Sequence, residues 1–428
     1  MPRAIVAGAV HRPSYRAGEL AAEGPDEDAF TLAVAAGERV LRIGTLRDSS
    51  VDGIHLVGDF PAESETGLPE VFGRPHIVPE RHGTGLAGLG AALRAAARSE
   101  SDGISLVLVA DVTRAAAPAS SASGAGAVAL VLAPGPGLAW TGAGGRRHPA
   151  HRTPDAEAWV VDAERHGGLP SSGVSGTLYF VAAQSPPVLL AFWRRRHEAM
   201  PIVPGSATPA GVGAAPSVAP ALWLLDLAAR ADAGEWNLLA HVTPEESRFL
   251  GLRRTGAVAI SDAAPDPGRG LGAPPPTIPD GVRFAVSEGA YVPRARYLEN
   301  LPSRWRLVAE RCGACGAVTF PMRGRCRACG RTDGLAEETL PPAGKVLAAT
   351  VVAPGAQPTE FDPLVASVGA YGVVLAEMAP GVRVTLQVAD HGPSPLAPGQ
   401  PITTALRRLY PMEGEWRYGR KALVGPPG

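Results

Sequence analysis

The chain alternates continuous apolar runs with segments whose apolar residues recur at helical spacing. Residues 104–112, ISLVLVADV, and residues 124–134, GAGAVALVLAP, are almost wholly apolar, as expected for strands that are covered on both faces. Residues 26–44, DEDAFTLAVAAGERVLRIG, open with acids and continue with helical periodicity, which predicts a helix. Residues 85–100, GLAGLGAALRAAARSE, predict a helix of small residues that is suited to burial. This part of the chain is therefore predicted to be α/β.

One helix–strand pattern occurs twice. The segment AALRAAARSESDGISLVLVADVT ends at Thr113, and ALWLLDLAARADAGEWNLLAHVT ends at Thr243. Each predicts a helix without a polar stripe, a small polar turn, an apolar strand and the same Val-Thr pair. The repetition predicts two similar α/β halves in tandem, each contributing one such helix to a buried centre.

The pattern changes after the second half. Residues 261–281, SDAAPDPGRGLGAPPPTIPDG, are rich in Pro and Gly and predict a linker or surface segment. A short amphipathic segment, YVPRARYLENLPSRWRLVAE, comes next. The last part of the chain holds five strand-like pieces separated by Pro and Gly: GKVLAATVVA, ASVGAYGVVLAEM, VRVTLQVAD, PITTALRRLY and EWRYGRKALV. Five short strands predict a small β-barrel of the OB type.

Every cysteine of the chain lies in one patch, RCGACGAVTFPMRGRCRACG, as two CxxC pairs: Cys312, Cys315, Cys326 and Cys329. Two such turns supply the four thiolates of a closed tetrahedral Zn²⁺ site. A closed site has no open coordination position, so the zinc is predicted to be structural. Two disulfides are the alternative, and a redox CxxC is a weaker one, since redox motifs occur singly in a thioredoxin-like setting.

Charge and composition exclude several classes. The formal net charge is −1, which argues against nucleic-acid binding. No apolar run reaches the roughly 18 residues of a membrane span, and the opening MPRAIVAGAV has no cleavable signal pattern. We therefore expect a cytoplasmic protein. The only lysines are Lys345 and Lys421, so no Schiff base can form on residues 1–344.

The ribbon and barrel resemble one family. The CxxC pairs, the GAVTFP strand, the FPMRGRC bridge and the closing WRYGRKAL are similar to the rubredoxin-like ribbon plus OB domain that accompanies thiolases and 3-hydroxy-3-methylglutaryl-CoA synthases. The resemblance covers residues 291–423. It implies binding of acyl-CoA and a role in bridging enzyme subunits.

The first part resembles a thiolase-fold subunit of the 3-hydroxy-3-methylglutaryl-CoA synthase type, through PDEDAFTLAVAAG, SLVLVAD and SGAGAVALVLAPG. The resemblance implies duplicated α/β/α/β/α layers. The chain is therefore predicted to have a thiolase-like domain over residues 1–262, with two halves of about 1–141 and 142–262. A linker follows over residues 263–290, then a helical lead-in with the zinc ribbon over 291–340, and an OB-fold barrel over 341–428.

The resemblance also shows what is missing. Thiolase-fold enzymes attack acyl thioesters with a cysteine at the N-terminus of a buried helix. The matching position lies near Gly85, and no cysteine precedes Cys312. The family's later His and Asn are expected in LLAFWRRRHEAMPIVPGSATPAGVG, whose GSATPAG holds no Asn. His82 and Thr84 are weak substitutes, with a surface turn as the alternative reading of His82, and His197 matches the family pattern poorly.

Arginines offer a second set of candidate contacts. His197 and the three arginines before it are expected on a solvated face, with CoA phosphates as the alternative partners of the arginines. On the barrel, Arg407, Arg408 and Arg420 are likewise expected to be solvated, with an acyl-CoA or a partner protein as the alternative.

These observations predict an accessory or scaffold subunit of a thiolase- or ketosynthase-type acyl-transfer complex in biosynthesis. It would bind an acyl-CoA or acyl-carrier substrate and a catalytic thiolase-like partner, without a catalytic residue of its own. The alternative is a stand-alone acyltransferase or carbon–carbon bond-forming synthase with an unconventional residue. Because thiolase-fold subunits bury a broad face against a second such subunit, a dimer-type assembly, homomeric or heteromeric, is expected.

Overall fold

The computed structural model describes most of both predicted parts of the chain, namely residues 2–17, 20–46, 49–112, 124–147, 156–167, 176–180, 191, 193–195, 197, 202–203, 215–242, 246–261, 293–389, 395–412 and 414–425. The predicted linker, residues 263–290, lies outside the described residues. Among the described residues, no helix is both long and apolar enough to cross a membrane.

The helices of the described residues are α1 Ala29–Leu41, α2 Ser64–Val71, α3 Gly85–Ala97, α4 Ala156–Gly167, α5 Val218–Arg230, α6 Arg294–Glu299, α7 Leu301–Arg306 and α8 Asp362–Val368. The strands of the α/β part are β1 Arg3–His11, β2 Tyr15–Ala17, β3 Leu20–Ala22, β4 Val51–Val57, β5 Glu80–Arg81, β6 Ile104–Asp111, β7 Gly126–Pro134, β8 Leu138–Arg147, β9 Gly176–Phe180, β10 Ile202–Val203, β11 Trp236–Val242, β12 Glu246–Arg254 and β13 Ala259–Ser261.

The strand order shows the predicted duplication directly. One half of the sheet runs β5-β4-β6-β7-β1, and the other runs β10-β9-β11-β12-β8. In both halves the first three strands of this order are parallel, and the fourth is antiparallel to both of its neighbours. The halves join where β1 pairs with β8. The two halves are therefore repeats of one α/β unit, and β8 is the first strand of the second repeat.

The helices complete five layers. Helix α1 covers the outer face of the first half-sheet, α2 packs on α1 and α7, and α4 packs on β8 and β12 of the second half-sheet. Between the half-sheets lie α3 and α5, which share one apolar cluster with strands of both repeats. This is the thiolase-like α/β/α/β/α layering predicted from the sequence, with the two repeated helices buried at the centre.

The second part holds the ribbon strands β14 Val308–Cys312, β15 Val318–Thr319 and β16 Leu335–Thr339, followed by the barrel strands β17 Ala343–Val352, β18 Tyr371–Ala379, β19 Val382–Gln387, β20 Pro401–Met412 and β21 Glu415–Val424. The barrel order is β19-β18-β17-β20-β21, and a bridge between Val388 and Ala422 brings its two ends together. This nearly closed five-stranded sheet confirms the predicted OB-type barrel.

An apolar cluster joins the barrel to the α/β domain. Phe30 of α1 packs edge-on against Tyr418 of β21, with ring centroids 4.8 Å apart, and lies 5.8 Å from Trp305 of α7. The Trp305 indole N–H donates to the Tyr418 carbonyl at 3.0 Å. Since all three side chains are buried, the barrel and the first half-sheet share a continuous core.

Buried ion pairs surround this cluster. The acids that precede α1 each meet a cation of β20 or β21: Lys421 Nζ lies 2.8 Å from Asp26 Oδ2, an Arg407 guanidinium nitrogen 2.7 Å from Glu27 Oε1, and Arg408 Nε 2.8 Å from Asp28 Oδ2.

Arg420 pairs with Glu38 of α1 in the same interface. The expectation of solvated arginines is therefore wrong for Arg407, Arg408 and Arg420, because each of them neutralises a carboxylate of the α/β domain.

Candidate functional site

The four cysteines converge at one point of the ribbon. Cys312 Sγ lies 3.7 Å from Cys329 Sγ, and Cys315 Sγ lies 3.6 Å from Cys326 Sγ. All four sulfur atoms lie within 4.8 Å of one another, whereas the atoms of a disulfide are about 2.05 Å apart. The cysteines are free, so the disulfide alternative does not describe this structure.

Backbone geometry prepares these thiols for a metal. Gly316 and Gly330 follow the two CxxC pairs with φ angles of 72° and 77°, which glycine adopts without strain. In the second pair, the Cys329 N–H is directed at the Cys326 sulfur and is the main cause that lowers the pKa of this thiol to about 6. The four sulfur atoms at this spacing fit a structural zinc site, which binds cysteines as thiolates.

The residue position at which a catalytic cysteine is expected, near Gly85, lies at the start of α3. Thr84 is the N-cap and is exposed, and Gly85 has a φ of 68°. The Gly85 N–H donates to the Ser217 hydroxyl at 3.0 Å. Asp111 accepts from the N–H groups of Ser217 and Val218, both at 2.7 Å, and so caps α5. The two central helices thus begin side by side.

Sequence reasoning did not find Ser217 or Asp111. Their partners lie more than a hundred positions away in the chain, and only the symmetry of the repeats brings these N-termini together. Neither a thiol nor an imidazole belongs to the hydrogen bonds described at the start of α3. In the described part of the chain, no hydrogen bond joins Thr84 to His82 either, so the structure does not assemble these two candidates into a nucleophile–base pair.

His82 instead belongs to a different cluster. Its Nε2 lies 3.1 Å from His55 Nδ1 and 3.6 Å from a Glu80 carboxylate oxygen, which is also 3.7 Å from His55 Nδ1. His55 is buried, and burial lowers its pKa to about 4. Burial also lowers the pKa of His82. Both imidazoles are therefore neutral at pH 7, and one ring N–H is shared between them.

His197 lies in the interior, which corrects the expectation of a solvated face. Its ring stacks on Trp193 with centroids 4.3 Å apart, and its Nε2 lies 3.0 Å from Glu164 Oε1 of α4. Arg194 and Arg195, by contrast, are exposed. The segment GSATPAG, residues 205–211, lies outside the described residues. The structure therefore places His197 in the packing of the second repeat, against Trp193 and Glu164.

A cavity of about 500 Å³ lies between the ribbon and the barrel. Phe320, Leu307 and Leu386 give it apolar walls, and Arg304 and Arg420 are also among its lining residues. This volume is within the range of small-molecule sites, which are mostly apolar with a few polar groups. Arg420 is already paired with Glu38, whereas Arg304 packs over the Tyr297 ring, 5.6 Å from its centroid.

Comparison with known families agrees with this geometry. Residues 302–334 match the family described as the ChsH2 rubredoxin-like zinc ribbon domain. These residues are thus similar to a rubredoxin-like zinc ribbon. This match covers the two CxxC pairs and part of α7, and so bears out the predicted zinc ribbon.

Two curated archaeal relatives match this chain over segments about as long as the ribbon and barrel together. A DUF35 domain-containing scaffold protein of Methanocaldococcus jannaschii is 28% identical over 129 residues, which are 30% of this chain and 85% of that protein. A protein of the same description from Methanothermobacter thermautotrophicus is 29% identical over 120 residues, which are 28% of this chain and 85% of that protein.

Several proteins of known structure overlay on the chain at low identity. The 3-oxoacyl-(acyl carrier protein) synthase III of Pseudomonas aeruginosa is 16% identical, with a TM-score of 0.43, and covers 60% of this chain and 100% of that one. A structure of MvaS with 3-hydroxy-3-methylglutaryl coenzyme A is 17% identical, with a TM-score of 0.42, and covers 60% and 84%. The prediction that one chain joins a thiolase-like α/β part to a zinc ribbon and a barrel is confirmed. The duplicated strand order of residues 2–261, the ribbon match and the curated relatives support it.

Proposed function

We propose that the chain is an accessory subunit of a thiolase- or ketosynthase-type acyl-transfer complex. The proposal is carried by the start of α3, the point at which the resemblance leads us to expect the nucleophilic cysteine and where the chain has Thr84 and Gly85. Covalent acyl transfer in such enzymes needs a thiolate at that point. Since all four thiols are in the ribbon, the thiolase-like domain contributes shape, and a partner contributes the nucleophile.

The joint between the two parts supports a scaffold role. Buried ion pairs and the Phe30–Trp305–Tyr418 cluster fix the barrel against the first half-sheet. A barrel held in this way keeps one orientation relative to the thiolase-like domain. Whatever the ribbon and barrel bind is then presented at a fixed position to a partner that docks on that domain, and the description of the archaeal relatives as scaffold proteins supports the same role.

The ligand of the ribbon–barrel cavity is proposed to be an acyl-CoA or an acyl-carrier group. The apolar walls of the cavity suit an acyl chain, and Arg304 in its lining supplies a cation for a phosphate. The partner is proposed to be a thiolase- or ketosynthase-like protein with its own catalytic cysteine.

Intact-protein mass spectrometry tests the accessory role. The chain is incubated with a panel of acyl-CoAs, alone and together with a thiolase- or ketosynthase-like protein that co-purifies with it. The expected result is no covalent acyl adduct on this chain, an adduct on the partner, and faster acyl transfer by the partner when the chain is present. Acylation of Thr84, or of another side chain of this protein alone, with turnover to product would overturn the proposal.

A pair of variants on β19 tests the cavity separately. Thr385 lines the cavity and is exposed, whereas Arg383 is exposed on the same strand and is not among the lining residues. Thr385→Trp is expected to weaken acyl-CoA binding about tenfold or more by filling the cavity, and Arg383→Trp is expected to leave it unchanged, as measured by calorimetric titration. Equal affinities would remove the cavity from the proposal and leave the accessory role to the mass-spectrometric test.

A further inference from the structure

Three potential metal ligands meet on the edge of the first half-sheet. His55 Nδ1, His82 Nε2 and one Glu80 carboxylate oxygen form a triangle with sides of 3.1, 3.6 and 3.7 Å. The nearest point that is equidistant from these three atoms lies in their plane, about 2.0 Å from each, and this distance matches Zn–N and Zn–O bond lengths. The three donor atoms therefore already have the spacing of a coordinated ion.

Strand register explains this arrangement. In the parallel pairing of β4 with β5, His55 is opposite Glu80, and Leu56 is opposite Arg81. Glu80 and His82 are two positions apart, so their side chains leave the same side of extended backbone. The backbone N–H of His82 donates to the Leu56 carbonyl at 2.9 Å. This bond continues the strand pairing past β5 and holds His82 beside His55. The backbone thus places the three side chains next to one another independently of any ligand.

We propose that His55, Glu80 and His82 bind a divalent transition-metal ion, with Zn²⁺ as the expected ion. Two imidazoles and one carboxylate are a donor set that zinc accepts. His55 and His82 are largely covered, whereas the Glu80 side chain is 60% exposed. Three protein ligands leave a coordination position for water or an anionic oxygen on the exposed side, so this site is open where the ribbon site is closed.

The competing account is a simple hydrogen bond between two neutral histidines. In that account one imidazole N–H donates to the facing nitrogen of the other ring at 3.1 Å, and Glu80 lies nearby without a functional role. The two accounts differ in measurable ways, because metal binding needs lone pairs on both facing nitrogens and therefore moves the shared proton to another ring nitrogen or releases it. The site also stands apart from the acyl-transfer role proposed above and does not depend on it.

Metal counting with the full-length protein tests this inference. Protein with its ribbon zinc intact is dialysed against micromolar Zn²⁺, and zinc per chain is measured by mass spectrometry of the elements. Two ions per chain are expected for the natural sequence. Glu80→Gln and His82→Ala are expected to retain the ribbon ion and to weaken binding of the second about tenfold or more. His76→Ala removes an exposed histidine outside the cluster and serves as the matched control, with two ions expected.

Cobalt supplies the second readout. Co²⁺ added to ribbon-loaded protein is expected to give visible bands without thiolate-to-metal charge transfer, because the proposed ligands are nitrogen and oxygen. These bands should be absent from His82→Ala. Since Glu80 is exposed, its replacement by Gln tests the site without disturbing the core. One ion per chain in the natural protein, a second ion bound equally by both cluster variants, or a thiolate spectrum for the added cobalt would each overturn the proposal.

Discussion

Replacing Lys421 by methionine tests whether buried charge joins the barrel to the α/β domain. Lys421 Nζ lies 2.8 Å from Asp26 Oδ2, and the two side chains are 1% and 7% exposed. Burial raises the pKa of Asp26, but Lys421 and then Arg407 outweigh this, and the net pKa is lowered. Lys421→Met keeps the length of the side chain and removes the charge, so Asp26 loses its closest cation.

The expected loss in the free energy of unfolding follows from what remains. Removing one partner of a buried ion pair costs about 3–5 kcal/mol, because the other charge stays buried without compensation. Arg407 Nε remains 3.8 Å from Asp26, so we expect the lower end, about 3 kcal/mol. Because the pKa of Asp26 is lowered, this contribution is fully present above about pH 4, the ordinary range of an unfolded Asp, and is lost as the pH falls through the pKa of the folded state.

The assay is urea-induced unfolding at pH 7, followed by tryptophan fluorescence. The only other lysine provides a matched control. Lys345 pairs with Glu377 at 3.0 Å, but its side chain is 60% exposed, so Lys345→Met is expected to leave the midpoint unchanged. The double variant Asp26→Asn with Lys421→Met is expected to be more stable than Lys421→Met alone, because no uncompensated carboxylate remains. An unchanged midpoint for Lys421→Met would refute the reasoning.

Three further outcomes are expected. Cys326→Ser should lower ribbon zinc and expose residues 311–330 to proteolysis while residues 2–261 stay folded; an undiminished zinc content would contradict the four-sulfur site. Trp305→Ala should cost about 3–5 kcal/mol in the free energy of unfolding, since its indole is buried against Phe30 and donates to the Tyr418 carbonyl; a loss below 1 kcal/mol would contradict this packing. Burial raises the pKa of Tyr297 to about 12, so stability gained from its neutral form should persist below pH 10 and be lost between pH 10 and 12; in an ultraviolet titration, the curves of the natural protein and of Tyr297→Phe are expected to coincide up to about pH 11 and to diverge above it, whereas an additional tyrosinate in the natural protein near pH 10 would contradict the raised pKa.

The sequence by itself determined the layers and the metal ribbon. Continuous apolar runs such as residues 104–112 can be covered only as central strands, and β6 is buried along its whole length. The echo that ends at Thr113 and Thr243 corresponds to α3 with β6 and α5 with β11, at equivalent places in the two repeats. The CxxC spacing fixed the four ligands because each pair acts over a single local turn.

Only the tertiary structure decided which charges are solvated. Residues 26–28 read locally as acids at a helix N-terminus, and Asp28 does cap α1 through a reciprocal pair with Thr31. Their buried cations on β20 and β21 lie almost four hundred positions later. Helical periodicity reports only neighbours within a few residues, so it cannot assign these partners or predict that Arg407 is buried.

The histidines show the same limit. His197 follows three arginines and reads as polar surface, but packing on Trp193 and the bond to Glu164 place it inside. His82 was noticed for its closeness to Thr84 in the sequence, whereas the register of β4 with β5 gives it His55 and Glu80 as neighbours. Strand register is set by pairing between distant segments. A one-residue slip of β5 along β4 would turn Glu80 and His82 away from His55, so the meeting of the three side chains is a property of the folded sheet alone.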